Sequence, residues 1–469
     1  MATVERYLLW FANENVDFRL PEIESILQLF NIQVKWIDGP NESPFWVAEM
    51  TPENMNRIAG RSVTLRSVVK LWGYGKTLDE LHKDIRRYPE HLIRNQLSID
   101  VSFRVNVETF GKTFSMAEKV DKIELFNYLP ADGPVKLNNP DVSLYYIEYY
   151  GLDPSNTPDE PYSLYFGVWV SDGQRSLIHR YSLKTRKFIG NTSMDPQLSF
   201  IMANQALIRK GDLVMDPFVG TGSLLVAAAQ FGAYVIGVDI DFLMLHGKTR
   251  PSRIQDRHKK RSQDESVYSN MKQYNTESNY IDVIVGDSSL PFWHDKLTLD
   301  SIITDPPYGI REATERIGTT KSYTISDHHL KTHIPAKVEY SLTQIYMDLL
   351  KFASKHLKVG GRLVSWIPIN KKDYSDTNLP QHPCLKIVAN SEQSLTAFTS
   401  RRLLTWEKIS DEESVSDSSR VYEIFPFGFR EHYFGNGETR KQRRARIARE
   451  LEEKSPFNDS INRSKSTEK

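Results

Sequence analysis

A short apolar strand that turns on glycines into an Ala- and Leu-rich helix most constrains how this chain can fold. Residues 211–215 are the strand, 216–223 the turn and 224–229 the start of the helix. This order is typical of the first βα unit of a doubly wound α/β domain, in which ligands bind at the carboxyl ends of the strands. Gly220 and Gly222 allow a ligand to approach the backbone closely, although many α/β folds need glycine there for packing alone.

Two further apolar runs end in acidic residues, as expected of later strands in the same sheet. Residues 233–238 lead to Asp239, and an acid about twenty residues beyond the glycine turn is placed to hold a ribose diol. An acid at that position can also cap a helix. A third run, 281–285, ends at Gly286 and Asp287, where a polar side chain can meet the edge of an adenine. The series indicates a site for a nucleoside cofactor.

A fourth apolar run, 302–304, opens into Asp305, Pro306, Pro307 and Tyr308. The two prolines fix φ and donate no N–H, so they make the loop rigid and leave its carbonyls free to accept. A carboxylate, a carbonyl and an aromatic ring held in one cavity suit a planar exocyclic amine on a base. The alternative is an ordinary turn at the end of a strand.

The glycine turn, ribose acid, adenine-side acid and amine cavity occur in the order of a nucleoside-cofactor methyltransferase. The region resembles the S-adenosylmethionine-dependent amino-methyltransferases that carry Asp/Asn-Pro-Pro-Tyr. Three flanking segments, 190–196, 200–206 and 310–312, narrow this resemblance to the eukaryotic and archaeal tRNA guanosine-10 N2-methyltransferase family. The resemblance extends from the amino terminus to about residue 430.

The resemblance implies direct methyl transfer from S-adenosyl-L-methionine to the N2 amine of a flipped guanine. Asp305 and the carbonyl of Pro306 are then expected to accept the hydrogens of the amine, Pro307 to stiffen the loop and Tyr308 to stack on the base. The residues expected to hold the cofactor are Thr192, Met194, Asp216, Phe218, Gly220, Thr221, Gly222, Asp239, Ile240, Asp287 and Ser288.

The fold class expected is α/β, with a Rossmann-like methyltransferase domain whose seven-stranded sheet is mostly parallel. Ferredoxin-like and THUMP domains of the α+β class precede it. The predicted divisions are a ferredoxin-like domain at 1–90, a THUMP domain at 91–175, a linker at 176–190, the methyltransferase domain at 191–430 and a charged tail at 431–469. Within the catalytic domain, residues 403–409 and 422–426 are expected to close the sheet as an antiparallel pair.

The resemblance to THUMP, an RNA-binding module of tRNA-modifying enzymes, rests on residues 135–142 and 145–148. It implies a grip on the acceptor end of a tRNA. Basic residues there and around the catalytic loop are expected to contact phosphates, with a plain solvated surface as the alternative. These residues are Arg104, Lys112, Arg180, Arg311 and Arg316.

Composition restricts the partners, cross-links and cellular location that the sequence predicts. The 60 basic and 60 acidic residues balance, so any contact with nucleic acid must come from local patches. The single cysteine, Cys384, excludes an internal disulfide and argues against a zinc site with several cysteines. No apolar run suits a membrane span and no secretory signal is recognisable, which favours a soluble protein of the cytoplasm.

Eukaryotic members of the family are similar to methyltransferases that need a small zinc-containing activator subunit, which implies a heterodimer here. Strand 281–285 is expected at an edge of the sheet, where backbone pairing can dock that subunit. Two alternatives remain at this point. One is an amino-methyltransferase acting on ribosomal RNA, another RNA, DNA adenine or a glutamine amide. The other is a non-catalytic RNA-binding subunit.

Overall fold

The computed structural model describes residues 3–153, 155–248, 264–310, 312–319 and 335–411. These residues form two seven-stranded sheets and a two-stranded ribbon. The strands are β1 (Glu5–Phe11), β2 (Lys35–Asp38), β3 (Phe45–Met50), β4 (Leu65–Gly75), β5 (Phe103–Phe110), β6 (Val142–Tyr149), β7 (Ser163–Asp172), β8 (Leu213–Asp216), β9 (Tyr234–Asp239), β10 (Tyr280–Val285), β11 (Leu299–Thr304), β12 (Glu315–Ile317), β13 (Lys337–Glu339), β14 (Leu357–Asn370), β15 (Leu385–Ser394) and β16 (Thr399–Lys408). The described helices are α1 (Arg19–Phe30), α2 (Pro52–Ala59), α3 (Leu78–Arg87), α4 (Glu90–Gln96), α5 (Met116–Glu124), α6 (Ser176–Arg180), α7 (Pro196–Gln205), α8 (Ser223–Gln230), α9 (Phe242–Leu245), α10 (Val267–Gln273) and α11 (Leu342–His356).

The first sheet has the order β2-β3-β1-β4-β7-β6-β5 and is antiparallel except for the β5–β6 pair. Strand β4, from the predicted ferredoxin-like part, pairs with β7, from the predicted THUMP part, over eight registered positions. The strands on both sides of residue 90 therefore belong to one continuous sheet. Sequence patterning did not predict β2 or α4, which are only four and seven residues long.

The second sheet has the order β10-β9-β8-β11-β14-β16-β15. Its first five strands are parallel to one another, and β16 and β15 are antiparallel additions. This confirms the predicted mostly parallel, seven-stranded Rossmann-like sheet. Because β8, β9, β10 and β11 are parallel, their carboxyl ends and the loops that follow meet at one edge.

The predicted closing pair of strands was wrong in its second member. Strand β16 has β14 on one side and β15 on the other along its length, so both of its edges are occupied. Residues 422–426, the predicted partner, lie outside the described part of the chain. The real partner, β15, was missed because the second half of its sequence, Asn-Ser-Glu-Gln-Ser, is polar and lacks a strand signal.

A buried polar network joins the two sheets' domains through α1 and α7. The Asn204 Oδ1 atom accepts from Arg61 Nε at 2.6 Å, and Asn204 Nδ2 donates to Glu22 Oε1 at 2.6 Å. Arg61 also donates from Nη2 to the carbonyl of Ile208 at 2.8 Å. Burial lowers the pKa of Arg61 to about 9. Arg61, Asn204 and Glu22 thus have hydrogen-bond partners within the network, and these bonds hold the amino-terminal region against the catalytic domain.

Strand β10 stands at one edge of the second sheet and β15 at the other. Among the described residues, no helix is long and apolar enough to cross a membrane. The same residues contain no cluster of His, Cys, Asp or Glu side chains arranged to hold a metal ion.

Candidate active site

A cleft opens where the parallel strands of the second sheet end. It consists of two adjoining cavities, of about 490 Å³ and about 500 Å³. The first lies between the glycine turn after β8 and the loop after β11, and the second continues past the ends of β9 and β10. Five residues line both cavities, namely Asn191, Phe218, Asp305, Pro307 and Glu312. The two cavities are therefore parts of one elongated site.

The structure brings all but one of the predicted catalytic and cofactor-binding residues to this cleft. The four predicted catalytic residues, Asp305, Pro306, Pro307 and Tyr308, line the first cavity. The predicted cofactor residues there are Thr192, Met194, Asp216, Phe218, Gly220 and Thr221. Those in the second cavity are Phe218, Asp239, Ile240, Asp287 and Ser288.

Gly222 is the exception, because it lines neither cavity. It is the N-cap of α8 in a left-handed conformation, with φ of 75°. A Cβ built there would stand 2.5 Å from Val267 Cγ1. The glycine is thus needed for the turn and for packing, whereas a Cβ built on Gly220 would meet no protein atom within 4 Å. Gly220 faces open space in the cleft, as expected where a ligand approaches the backbone.

Asp239 ties the glycine turn to the end of β9. Its Oδ2 accepts from Gly220 N at 2.7 Å, and its Oδ1 accepts from Asp241 N at 2.8 Å. Burial raises the pKa of Asp239, and the two backbone hydrogen bonds oppose that rise. Each carboxylate oxygen retains a second lone pair and can still accept a hydrogen bond from a ribose hydroxyl. Contact of Asp239 with a ribose diol stays a prediction.

Asp216, in the lining of the first cavity, joins the ends of two neighbouring strands. Its Oδ1 accepts from Thr304 Oγ1 at 2.7 Å and from Phe218 N at 3.0 Å. Burial raises its pKa to about 7. These bonds align the end of β8 with the end of β11, and so place the glycine turn beside the Asp-Pro-Pro-Tyr loop.

Asp287, predicted to face an adenine, has backbone donors at both oxygens. Oδ1 accepts from Ser289 N at 2.9 Å and Oδ2 from Ile317 N at 2.5 Å. It therefore anchors the β12–β13 ribbon over the second cavity, which sequence reasoning did not anticipate. The neighbouring Ser288 donates to the carbonyl of Pro217 at 2.5 Å. Contact of either side chain with a cofactor stays a prediction.

The acceptor set of the first cavity is centred on Asp305. The Tyr308 hydroxyl donates to Asp305 Oδ1, and Arg401 Nη1 lies 3.4 Å from Asp305 Oδ2. Burial raises the pKa of Asp305, while Arg401 and the Tyr308 hydrogen bond oppose that rise. The structure thus gives Tyr308 the task of orienting the carboxylate, and its stacking on a base stays a prediction.

Two residues at this site were missed as functional candidates. Arg401 was invisible to motif reasoning because no glycine or proline marks it. Strand β16 runs antiparallel, so its first residues lie at the edge where the parallel strands end. Glu312 accepts a hydrogen bond from the Thr192 hydroxyl and joins two segments across the cleft. It follows the catalytic loop closely, and this proximity was the signal that could have identified it.

The predicted RNA-contacting residues are dispersed rather than gathered at the cleft. Arg104 Nη1 donates to the carbonyl of Leu137 at 3.1 Å, and Lys112 Nζ lies 4.8 Å from the centroid of the Tyr150 ring. Arg180 and Arg316 are exposed, on α6 and β12. Arg311 lies outside the described residues. Phosphate contact by any of them stays a prediction.

Two protein-family models match the chain. "Tmrp11 THUMP N-terminal domain" matches residues 5–175, and "RMKL-like, methyltransferase domain" matches residues 184–370. The first match spans the whole of the first sheet, and the second contains the glycine turn and the Asp-Pro-Pro-Tyr loop. A crystal structure of TrmN from Thermus thermophilus aligns with 87% of this chain and 100% of its own, at 16% identity and a TM-score of 0.43. That similarity is too distant to carry an argument.

Curated relatives are similar over nearly the whole length. The tRNA (guanine(10)-N(2))-methyltransferase TRMT11 of Gallus gallus is 44% identical over 443 residues, which cover 92% of this chain and 95% of the relative. The Homo sapiens protein of the same name is 42% identical, with coverage of 92% and 96%. The Dictyostelium discoideum protein is 34% identical, with coverage of 86% and 82%. This chain therefore belongs to the tRNA (guanine(10)-N(2))-methyltransferase family.

Proposed function

We propose that this chain transfers a methyl group from S-adenosyl-L-methionine to the N2 amine of guanosine 10 in tRNA. The observation that carries the proposal is the placement of Asp305 and Pro306 in the same cavity as the glycine turn after β8. Amine acceptors and a cofactor cradle are thereby adjacent, as a one-step transfer requires. The curated relatives named above share this specificity in their names and align over most of both chains.

The elongated cleft fits the cofactor, with room for an adenosine on one side and a methionine on the other. Gly220 leaves open space against the backbone, and the residues around Asp239 and Asp287 form the wall of the second cavity. Thr192 and Met194 lie in the first cavity and fit the methionine end. When bound, S-adenosyl-L-methionine supplies an electrophilic methyl group on its sulfonium.

The chain's own residues prepare the amine. The lone pair of the guanine N2 atom is delocalised into the ring, so the amine is a weak nucleophile until it becomes pyramidal. Asp305 accepts one of its hydrogens and the Pro306 carbonyl the other, which favours the pyramidal form and stabilises positive charge as it develops on nitrogen. The N–C bond forms as the C–S bond breaks, and a proton then leaves the nitrogen for Asp305 or water.

A single-group substitution in the RNA tests this proposal. Purified protein with its activator should transfer labelled methyl to a tRNA transcript carrying guanosine at position 10. It should transfer none to the same transcript carrying inosine there, because inosine lacks the 2-amino group. Equal labelling of both transcripts would overturn the assignment of the acceptor. Labelling of DNA or protein instead of tRNA would support a different amino-methyltransferase.

We further propose that the chain works in the cytosol as the catalytic member of a heterodimer with a small zinc-containing activator subunit. Strand β10 has a hydrogen-bonded neighbour, β9, on one side only in the described sheet. Two apolar side chains on it are exposed, Ile281 at 49% and Val285 at 41%. A free strand edge flanked by exposed apolar groups is suited to pairing with a strand of another protein.

A lysine introduced on the free edge of β10 tests whether the activator docks there. Ile281→Lys should abolish co-purification with the activator and leave the folded chain intact, because that side chain already faces solvent. Val388→Lys is the matched control, since Val388 is 37% exposed on β15 at the opposite edge of the same sheet. If Ile281→Lys binds the activator as the wild type does, the subunit docks elsewhere.

A further inference from the structure

Arg401 is placed at the acceptor end of the cleft by two neighbouring strands. It pairs in register with Gln393 of β15, and its Nε donates to Gln393 Oε1 at 2.7 Å. Its guanidinium carbon lies 4.0 Å from the centroid of the buried Trp366 ring. The side chain is only 14% exposed and lines the same cavity as Asp305. A guanidinium held by an amide and an aromatic ring is fixed in direction, as recognition of a planar group requires.

The outer edge of this guanidinium retains donor capacity toward a ligand. A guanidinium carries five N–H donors. Gln393 takes the Nε–H, whereas Nη1 is 3.4 Å from Asp305 Oδ2 and Nη2 is 3.7 Å from Met194 Sδ, a weak acceptor. Tyr308 also lies within hydrogen-bonding reach. The Nη distances to Asp305 and Met194 are long for hydrogen bonds, so a better acceptor entering the cavity can take over an Nη–H.

The Asp-Pro-Pro-Tyr loop cannot by itself choose guanine. A carboxylate and a carbonyl accept hydrogens from any exocyclic amine, including the 6-amino group of adenine. What distinguishes guanine is the order along its pairing edge, in which the 2-amino and N1–H donors are followed by the O6 acceptor. The cavity lining contains the complementary groups, since Asp305 and Pro306 carry acceptors and Arg401, 3.4 Å from Asp305, carries donors.

We propose that Arg401 donates to O6 of the flipped guanine while Asp305 accepts from its N1 and N2 hydrogens, so that Arg401 selects guanine over purines with a 6-amino group. This inference rests on the proposed function. A 6-amino group would point a donor at the donors of Arg401 and leave both without an acceptor in a buried site, which is strongly unfavourable. Sites built to hydrogen-bond one substrate group reject analogues that lack it more sharply than apolar pockets do.

The test compares guanosine with 2,6-diaminopurine at position 10 of a tRNA transcript, with the pairing partner changed to uridine for the analogue. The analogue keeps the reacting 2-amino group, replaces O6 by an amine and has a bare ring nitrogen where guanine has N1–H, so it also removes the hydrogen that Asp305 would accept from N1. The preference of the wild type therefore reports both contacts, and the variants isolate the share that belongs to Arg401. The wild-type enzyme should prefer guanosine in kcat/KM by at least about a hundredfold. If it uses both transcripts equally, the proposal fails whatever the variants show. If it methylates neither, the proposed function itself fails.

Variants of Arg401 test whether this residue causes the preference for guanosine over 2,6-diaminopurine. Arg401→Gln should reduce the preference at least about tenfold, because a glutamine side chain accepts from a 6-amino group as readily as it donates to O6. Arg401→Lys, which keeps a donor, should retain more of it. An effect of these changes on how Asp305 holds the 2-amino group acts on both substrates and cancels in the ratio. The ratio is measured at a pH where Asp305 is ionised in every variant, so the unequal contact of Asp305 with N1 of the two bases also stays constant across the series.

The matched control is Arg402→Gln. Arg402 is also 14% exposed, but its Nε donates to Asn390 and its Nη1 to Glu392, and it lies outside the cleft lining. The Arg402→Gln enzyme should prefer guanosine over 2,6-diaminopurine as strongly as the wild type does. A normal preference in Arg401→Gln with a lower rate on both substrates would overturn the proposal and leave Arg401 as a positioning residue for Asp305.

Discussion

At the residue scale, the site depends on the carboxylate of Asp305, whose buried position disfavours the charged form. Burial raises the pKa of Asp305, and Arg401 and Tyr308 oppose that rise. The ionised form of Asp305 is the stronger acceptor for the hydrogens of an amine, and it is the form that would stabilise positive charge developing on the nitrogen in the proposed reaction. A protein that held the carboxylate without a neighbouring cation would lose the acceptor at a higher pH, so Arg401 widens the pH range in which the site can work.

This balance predicts the pH dependence of methyl transfer. As the pH falls through the raised pKa of Asp305, the carboxylate is protonated and the single-turnover rate should fall. The acidic limb should therefore lie above the ordinary range of an aspartate. In Arg401→Gln the opposing cation is gone, so the limb should move to higher pH. Single-turnover rates measured across the acidic range check both statements, and a limb in the variant at or below that of the wild type would contradict them.

Residue types explain which site positions could be predicted from sequence. Asp216 and Asp239 end apolar runs, and Asp305 follows one after a single threonine, so the local pattern places all three at the carboxyl ends of strands. Arg401 begins an antiparallel strand, and only the pairing of β16 with β14 brings it to that edge. Its role depends on a long-range neighbour, and nothing local indicates it.

At the element scale, the turn between β8 and α8 separates two uses of glycine. Gly222→Ala should destabilise the fold, because φ of 75° is costly for alanine and the new Cβ would stand 2.5 Å from Val267 Cγ1. The backbone cost alone is on the order of 1–2 kcal/mol. Denaturant unfolding of the purified variant measures the loss.

Gly220→Ala is the matched comparison for this turn. Gly220 is also left-handed, with φ of 48°, so alanine there carries a similar backbone cost. Its new Cβ would meet no protein atom within 4 Å, so Gly220→Ala should destabilise the fold less than Gly222→Ala, which adds the clash with Val267. The methyl group would instead project into the cleft and should weaken cofactor binding, measured by calorimetry. Equal stability losses in the two variants, with normal cofactor affinity in Gly220→Ala, would contradict this division of roles.

Elements with a strong periodic pattern were predictable, and weak ones were not. Helices α2, α3 and α5 each begin after a Thr or Ser whose side chain accepts from the backbone N–H three residues on. Such caps mark helix starts in sequence. Strand β15 has no such mark, because its polar end pairs with β16 beside the cleft and is held by tertiary contacts.

At the scale of the whole molecule, the junction between α1 and α7 fixes the RNA-binding half against the catalytic sheet. Asn204 bonds to both Arg61 and Glu22 there. Asn204→Ala should leave these groups short of partners in a buried site and cost about 1–3 kcal/mol in the free energy of unfolding. Arg57→Ala, which breaks an exposed ion pair with Glu53, should cost well under 1 kcal/mol. Equal losses in denaturant unfolding would show that the network does not stabilise the junction.

The long-range order of the first sheet is what sequence reasoning could not supply. Local patterns predicted β4 and β7 separately, but their pairing joins residues about a hundred positions apart. Strands β8, β9, β10 and β11 were each predictable because an acid, a glycine or a proline turn follows each apolar run. In the catalytic half, the positions at these strand ends were therefore predictable to single residues, whereas β15 and Arg401 were not, and the amino-terminal half was predictable only to the level of elements.

The most direct test of the central claim is the turnover of Asp305→Ala. Assayed together with the proposed activator, the variant should still bind S-adenosyl-L-methionine, since Asp305 is expected to hold the amine rather than the cofactor. Its single-turnover methyl transfer to tRNA should fall by roughly a hundredfold or more, as when one preorganised polar group is removed from a transition state. Wild-type turnover in this variant would contradict the claim that the Asp-Pro-Pro-Tyr loop activates the amine.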